Sequence, residues 1–225
     1  DNAAGFEFTT SCQMINYVTE GGSGNQDGSS VDNAAPNIGA IIENINFTRD
    51  SVIVLSGMIN EPAPLNNTDG VILVKDGASI DMGTYDIINN GHITLESGAS
   101  LIQGEGSTNS GFGSYEVIRT AAQTVSQFRF LSSPIANINV QSVYGGSNVA
   151  SPSPENYDVN GGWIYHTSGT LENGKGYAVN GSINPGGENG VRHYIGDVNN
   201  GDIGYILDGS IHNNVFSGWN LLGNP

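Results

Sequence analysis

Positively charged side chains are scarce in this sequence, which has 6 Lys and Arg against 22 Asp and Glu, for a formal net charge of −16. A chain this acidic repels the phosphates of nucleic acids and the anionic headgroups of membranes. We therefore expect neither nucleic-acid binding nor association with an anionic membrane surface. Solubility in a saline or calcium-rich exterior explains the charge, and cation binding by clustered carboxylates is the alternative.

Cysteine and long apolar runs are also lacking. The single cysteine, Cys12, excludes an intramolecular disulfide and has no neighbouring histidine, so we expect a small buried side chain and not a nucleophile. A large core lets an extracellular protein do without disulfides. No run of 18 apolar residues is present, so we expect no membrane insertion. The first residues do not resemble a signal peptide, which favours a processed form.

Amphipathic helical spacing is almost absent, and turn signals take its place. Asn-Gly occurs six times and Asp-Gly four times along the chain. These pairs favour tight turns because both residues tolerate a left-handed backbone. The sequence therefore predicts an all-β fold.

Two segments nearly repeat each other. Residues 70–80 are GVILVKDGASI and residues 91–101 are GHITLESGASL, a period of 21 residues that indicates stacked structural units. Every second position is apolar in both copies, which predicts strands with one buried face. The aligned apolar pairs are Ile72 with Ile93, Val74 with Leu95, Ala78 with Ala99, and Ile80 with Leu101.

The repeat predicts a short β-solenoid of two to three rungs over residues 41–122. Val52 and Val54 fit the same register one period earlier. Lys75 and Glu96 occupy aligned outward positions and are expected to form a weak ion pair.

Two further regions flank the solenoid. Residues 1–40 are predicted to hold N-terminal strands and a flexible Gly/Ser-rich loop. After residue 122 the period disappears, and short strands separated by Gly/Asn turns predict a β-sandwich-like domain over residues 123–225. The strands are expected at residues 127–131, 163–166, 176–179, 191–195, 203–207 and 219–222.

Five motifs of the second half occur in a characteristic order. They lie at residues 128–134 (FRFLSSP), 161–165 (GGWIY), 171–177 (LENGKGY), 199–203 (NNGDI) and 218–225 (GWNLLGNP). In this order, after a Gly-Ala-Ser ladder, they resemble a module of large secreted and cell-surface proteins of Bacteroidota. The resemblance covers residues 70–225.

This resemblance implies an extracellular or cell-surface location, export by type IX secretion and an adhesin-like or fibre-forming role. Such proteins usually continue beyond the Gly-Asn-Pro motif and carry a C-terminal sorting domain. We therefore expect this chain to be part of a longer polypeptide, truncated at its C-terminus. Asp50-Ser51-Val52 further resembles an O-glycosylation site of these bacteria, with the sugar on Ser51.

One turn of the second half offers oxygen ligands for a cation. Residues 197–203 place Asp197, Asn199 and Asp202 around a Gly turn, as loops that bind calcium do. Calcium bound by these three residues is one interpretation. An ordinary Asx turn without a cofactor is the other.

The aromatic residues of the second half also allow two interpretations. Strand alternation places Trp163 and Tyr165 on the same side of one strand, with Tyr177 and Trp219 on others. An exposed set would form a stacking platform for carbohydrates, whereas a buried set would form the sandwich core. We expect the core.

Catalytic motifs are sparse. The chain has no Gly-x-Ser-x-Gly elbow, and its four histidines lack the spacing of a zinc site. The ladder acids that a polysaccharide-degrading β-helix enzyme would need are Asp76, Asp81, Asp86 and Glu96. Few basic residues accompany them to neutralise an acidic sugar.

The sequence therefore predicts a non-enzymatic extracellular structural or adhesive module. Its partners would be other copies or modules of the same surface protein, bound through strand edges. A carbohydrate-binding module with glycans as partners is the alternative, followed by a polysaccharide-degrading enzyme.

Overall fold

The computed structural model describes residues 14–42, 45, 50–120, 128–145, 148–152, 162–180, 191–207 and 220–223. Within these residues the fold is nearly all-β, with a β-solenoid of about three turns and a separate antiparallel sheet. The predicted fold class is therefore confirmed. Cys12 and Trp219 lie outside the described residues.

The solenoid coils through three sheets. Its strands are β1 (Ile15–Val18), β2 (Ser51–Val54), β3 (Gly57–Asn60), β4 (Leu65–Asn67), β5 (Val71–Val74), β6 (Ala78–Asp81), β7 (Ile87–Asn89), β8 (His92–Leu95), β9 (Ser100–Ile102), β10 (Asn109–Ser110) and β11 (Ser114–Thr120). Parallel pairing joins β1, β2, β5, β8 and β11 in the first sheet, β3, β6 and β9 in the second, and β4, β7 and β10 in the third. Each coil thus contributes one strand to each sheet.

Burial inside the coils follows the predicted alternation. Ile72 pairs with Ile93 in parallel register between β5 and β8, and both side chains are buried. Burying a side chain of this size contributes roughly 1.5–3 kcal/mol to stability. The other aligned residues that are buried are Val74, Leu95, Ala78, Ala99 and Ile80, and Leu101 is partly buried.

The predicted ion pair on the outer surface is also present. Lys75 Nζ donates a hydrogen bond to Glu96 Oε1, and this bond lowers the pKa of Glu96. Both side chains are partly exposed, so the pair contributes roughly 0–1 kcal/mol.

A column of buried asparagines closes one corner of the coils. The Nδ2 of Asn67 donates to the Gly70 carbonyl (3.0 Å) and to Asn89 Oδ1 (2.9 Å), while its Oδ1 accepts from the Gly70 N–H (2.8 Å). Asn89 repeats the arrangement, since its Oδ1 accepts from the Gly91 N–H (3.2 Å) and its Nδ2 donates to the Ser114 carbonyl (3.1 Å). These amides satisfy buried backbone groups and link one coil to the next.

The chain covers the N-terminal end of its own solenoid. Residues 19–42, which include a 3₁₀ turn at Val31–Asn33, fold back along β1. The Tyr17 N–H donates to the Gly28 carbonyl, and the Ala35 N–H donates to the Tyr17 carbonyl, both at 2.9 Å. The loop predicted to be flexible is therefore hydrogen-bonded to the first strand.

Glu61 binds the backbone of residues 19–42. Its two carboxylate oxygens accept hydrogen bonds from the Ile38 N–H (2.8 Å) and the Gly39 N–H (3.0 Å). Burial raises the pKa of Glu61, and these two hydrogen bonds act in the opposite direction.

The raised pKa of Glu61 predicts a pH dependence of stability. The contribution of this group is fully present below its unfolded-state pKa and is lost as the pH rises through the higher folded-state pKa. We expect the free energy of unfolding of the wild type, relative to Glu61→Gln, to fall as the pH rises through this window. Urea unfolding from pH 4 upward measures it. Glu105→Gln, which replaces an exposed carboxyl group, is the control, and a difference between the wild type and Glu61→Gln that grows with pH contradicts the prediction.

The chain after residue 127 builds the second sheet. Its elements are β12 (Phe128–Leu131), α1 (Val140–Tyr144), β13 (Asn148–Pro152), β14 (Trp163–Tyr165), β15 (Tyr177–Asn180) and β16 (Val191–Gly196). Strands β12, β15, β13 and β14 pair antiparallel in that order. The sequence predicted β12, β14, β15 and β16 but missed β13 and α1.

Two of the predicted strands are wrong or much reduced. Residues 203–207 contain no strand. Residues 220–222 form no strand, and Leu222 makes a single bridge with Lys175. Irregular loops are found where these strands were predicted, and a Gly-rich sequence allows such loops as readily as strands.

Strand β16 belongs to the solenoid. It pairs antiparallel with β11, with Val191 opposite Thr120, and becomes the sixth strand of the first sheet. The expectation that this strand joins the sandwich-like part is therefore wrong. The boundary near residue 122 stays a prediction.

The solenoid and the chain after residue 127 share one hydrophobic core. Tyr144 of α1 and Tyr194 of β16 join their hydroxyl groups in a hydrogen bond, with ring centroids 6.1 Å apart. The Arg192 guanidinium lies 5.5 Å from the centroid of the Tyr144 ring. Burial raises the pKa of both tyrosines, so both remain protonated at neutral pH.

Candidate functional site

An aromatic face covers one side of the four-stranded sheet. It consists of Phe128, Phe130, Ala150, Trp163, Tyr165 and Ala178, which line a groove of about 270 Å³. The aromatic side chains come from the edge strands β12 and β14, and the alanines come from the central strands. The register aligns Phe130, Ala178, Ala150 and Tyr165 across the sheet. Small residues between two aromatic walls produce the groove.

Most of the aromatic surface on this face is open to solvent. Phe130 is 66% exposed, Tyr165 50% and Phe128 49%. The expectation that Trp163 and Tyr165 belong to the core is therefore wrong for Tyr165, and Trp163 is half-buried. Tyr177 does lie in the core, at 2% exposure. The stacking of carbohydrate on Trp163 and Tyr165 stays a prediction.

One end of the aromatic face carries a polar group. Asn180 lies opposite Phe128 and Asn148, two positions along β15 from Ala178, and so on the same side of the sheet. Its Oδ1 is buried and has no hydrogen-bond partner among the described residues. This acceptor lies next to the groove and is not part of its lining.

A second concave site, the amide cleft, lies where the third coil meets residues 197–203. Its polar lining includes Asn89, Asn109, Asn173, Asp197, Asn199 and Asn200, around a volume of about 540 Å³. The Asn200 Nδ2 donates to the Ser107 carbonyl (3.0 Å), which ties this segment to the solenoid. Asn199 is held from the other side, since its Nδ2 donates to the Ser133 carbonyl (2.7 Å).

Three polar groups of the amide cleft have no side-chain hydrogen bonds within the described part of the chain. They are the Asn199 Oδ1, which is buried, the Asp197 carboxylate and the Asn173 amide. Burial, together with the negative charge of Asp197, raises the pKa of Tyr115 to about 12. The Tyr115 hydroxyl is therefore a neutral donor, and Asp197 is the one acidic residue among the described residues that line the cleft.

The predicted calcium ligands are only partly brought together. Asp197 and Asn199 line the amide cleft, whereas Asp202 is exposed and does not. No group of three or more His, Cys, Asp or Glu side chains with metal-binding geometry occurs within the described ranges. Calcium at this turn stays a prediction.

Ser51 lies at the start of β2 on the outer surface of the first sheet. It pairs with Ile15 on one side and Val71 on the other, and it is half-buried. The preceding Asp50 is buried, and its Oδ1 accepts a hydrogen bond from the Met14 N–H (3.2 Å). Glycosylation of Ser51 stays a prediction.

Of the ladder acids considered for catalysis, Asp76 lies next to Glu96, since its N–H donates to Glu96 Oε2 (3.1 Å), whereas Asp81 and Asp86 lie at other corners of the coil. Glu96 pairs with Lys75 beside the first sheet, and Asp81 ends a strand of the second. Asp86 precedes the third sheet, where hydrogen bonds from Thr108 lower its pKa. The hydrogen bonds and the ion pair of these acids stabilise turns and neighbouring coils of the solenoid.

Two histidines do meet at a carboxylate, which their spacing in the sequence does not reveal. Glu116 Oε1 lies 2.8 Å from His193 Nδ1, and its Oε2 lies 3.7 Å from His92 Nε2. His166 is elsewhere, with its Nε2 2.8 Å from Ser151 Oγ. The pairing of β11 with β16 creates the Glu116 cluster, so sequence distance could not predict it.

Comparison with known proteins gives one match. A family model described as a domain of unknown function, DUF8693, matches residues 36–225, which include β2 and every later element. No curated protein and no solved structure matches the chain. Within the described ranges, no helix is long and apolar enough to cross a membrane. Because the match covers most of its length, the chain belongs to the DUF8693 family.

Proposed function

We propose that this chain is a non-enzymatic structural or adhesive module of an extracellular, cell-surface protein. In this proposal it contacts other copies or modules of that protein through the aromatic face. The observation that carries the proposal is the exposure of Phe128, Phe130 and Tyr165 beside Trp163 on one side of one sheet. The surface location rests on the resemblance of the motif series and on the acidic composition.

The chemistry of the aromatic face favours contact with protein. Contiguous exposed apolar surface marks interaction sites, and aromatic side chains dominate the energies of interfaces. Among the described residues, no charged side chain lines the groove, although the chain has a net charge of −16. Two acidic molecules therefore repel each other least where these faces meet.

The solenoid acts as a rigid spacer in this proposal. Its first strand is covered by residues 19–42, and β11 is covered by β16. Among the described residues, the remaining edge strands are β3, β4, β9 and β10 of the solenoid and β12 and β14 of the second sheet. In this proposal, assembly through strand edges uses β12 and β14. Both edges border the aromatic face, so one partner can contact the edge and the groove together.

The double variant Phe130→Ser/Tyr165→Ser tests this function. Buried aromatic anchors typically contribute about 2 kcal/mol or more, so we expect self-association at least about 30-fold weaker than in the wild type. Analytical ultracentrifugation over a concentration series measures it. Phe112→Ser is the matched control, because Phe112 is fully exposed and lies off the aromatic face.

Two results would contradict the proposal. One is a wild-type chain that stays monomeric at every concentration, with only isolated particles in images of the native material. The other is an equal loss of association in Phe112→Ser, which would indicate non-specific contact between apolar side chains.

Carbohydrate binding on the same face is the second candidate function. It is favoured by Trp163 and Tyr165, which lie on one strand and line the groove. Flat aromatic rings stack on sugars. Binding on a glycan array that disappears in Trp163→Ala supports this candidate, and a silent array contradicts it.

A further inference from the structure

We infer that the amide cleft binds a neutral, hydroxyl-rich ligand such as the end of a carbohydrate chain. The cleft shares no lining residue with the aromatic face, so this inference goes beyond the proposed function and does not depend on it.

The size of the cleft suits a small organic ligand. Its volume of about 540 Å³ lies within the range of roughly 300–1,000 Å³ that is usual for ligand pockets. A bare cation would leave most of this space empty. A sugar unit with its neighbour would fill much of it.

The available hydrogen-bonding groups match the chemistry of hydroxyls. The Asn199 Oδ1 and the Asp197 carboxylate accept hydrogen bonds, and the Asn173 amide both donates and accepts. A hydroxyl group also donates and accepts, so neighbouring hydroxyls of one sugar ring can satisfy all three. An unpaired buried acceptor is unfavourable, and a ligand hydroxyl at Asn199 removes that penalty.

The charge of the cleft favours a neutral ligand. Asp197 is the one acidic residue in the described lining, and no basic residue accompanies it. Its carboxylate repels phosphates and uronic acids. Within the described residues, no group of three or more His, Cys, Asp or Glu side chains is placed to hold a metal ion, so the cleft suits a cation poorly.

The test uses the full chain on an array of neutral oligosaccharides ending in glucose, galactose, mannose or N-acetylglucosamine. The array is run in buffer containing EDTA, and calorimetry with the strongest binder gives the affinity. We expect at least about 10-fold weaker binding for Asn173→Ala and for Asp197→Asn, because each removes a hydrogen bond to the ligand. Asp202→Asn is the matched control and should bind as the wild type does, since Asp202 is an exposed acid outside the cleft.

Folding does not confound these variants. The side chains of Asn173 and Asp197 make no hydrogen bonds within the described residues, and unfolding midpoints of all variants verify the fold. Trp163→Ala should retain binding. The inference is overturned if no neutral oligosaccharide binds, if binding requires added Ca²⁺, or if Trp163→Ala abolishes binding while the cleft variants keep it.

Discussion

Gly91→Ala is expected to lower the free energy of unfolding by about 3 kcal/mol, at the upper end of the usual effect of overpacking. A Cβ at this position would lie 2.2 Å from the Gly70 carbonyl oxygen and 2.7 Å from Asn67 Nδ2. Both atoms belong to the preceding coil, and the pairing of strands fixes the distance between coils at roughly 4.8 Å. Neither neighbour can move away without breaking the ladder. For a chain of this length, the melting temperature should fall by about 6–12 °C in a thermal unfolding experiment.

Gly77→Ala separates this clash from the general effect of replacing a glycine. Gly77 has φ of +78°, and a Cβ there would meet no atom within 4 Å. The strain of a left-handed alanine alone costs roughly 1–2 kcal/mol. Equal destabilisation by the two substitutions would show that close contact between coils is not the reason for Gly91.

Asn67→Ala is expected to be about as destabilising, with a loss of about 3 kcal/mol. The substitution removes three hydrogen bonds and leaves the Gly70 N–H buried without its acceptor. It also ends the contact with Asn89, through which one coil is joined to the next. Chemical denaturation monitored by tryptophan fluorescence measures the change.

Asn66→Ala is the matched control on the same strand. Asn66 is exposed where Asn67 is fully buried, so its replacement should change the free energy of unfolding by less than about 0.5 kcal/mol. A similar loss at both positions would contradict a role for the buried amide column.

The solenoid could be predicted in detail because its pattern is local. Strand alternation and the 21-residue period identified the buried pair Ile72 and Ile93 and the outward pair Lys75 and Glu96. The asparagine column was missed because the 21-residue period does not align its members. Asn67 and Asn89 are 22 residues apart, one more than the period, because Asn67 stands three residues before Gly70 and Asn89 stands two residues before Gly91. A polar residue in a repeated column is easily taken for a turn residue when it is in fact buried.

The sites were less predictable because they depend on contacts between distant segments. Alternation shows that Trp163 and Tyr165 share one side of a strand, but it does not show which side faces solvent. The two phenylalanines of β12 join them only through the order of strands in the sheet. The amide cleft likewise needs Asn109 and Asn199 to meet across the junction, which no local motif records.

The pairing of the antiparallel strand β16 with β11 also determines the order in which the fold can form. From β2 to β11, each strand of the first sheet finds its parallel partner 20–22 residues away, as Ile72 and Ile93 do, and so can pair soon after it is synthesised. The edge of β11 cannot pair until Val191 has been synthesised, about 70 residues after Thr120. Pairing between such distant residues forms slowly. Until then a strand of seven residues has an open edge. A chain interrupted before Val191 would therefore expose the feature that most readily recruits other chains into aggregates.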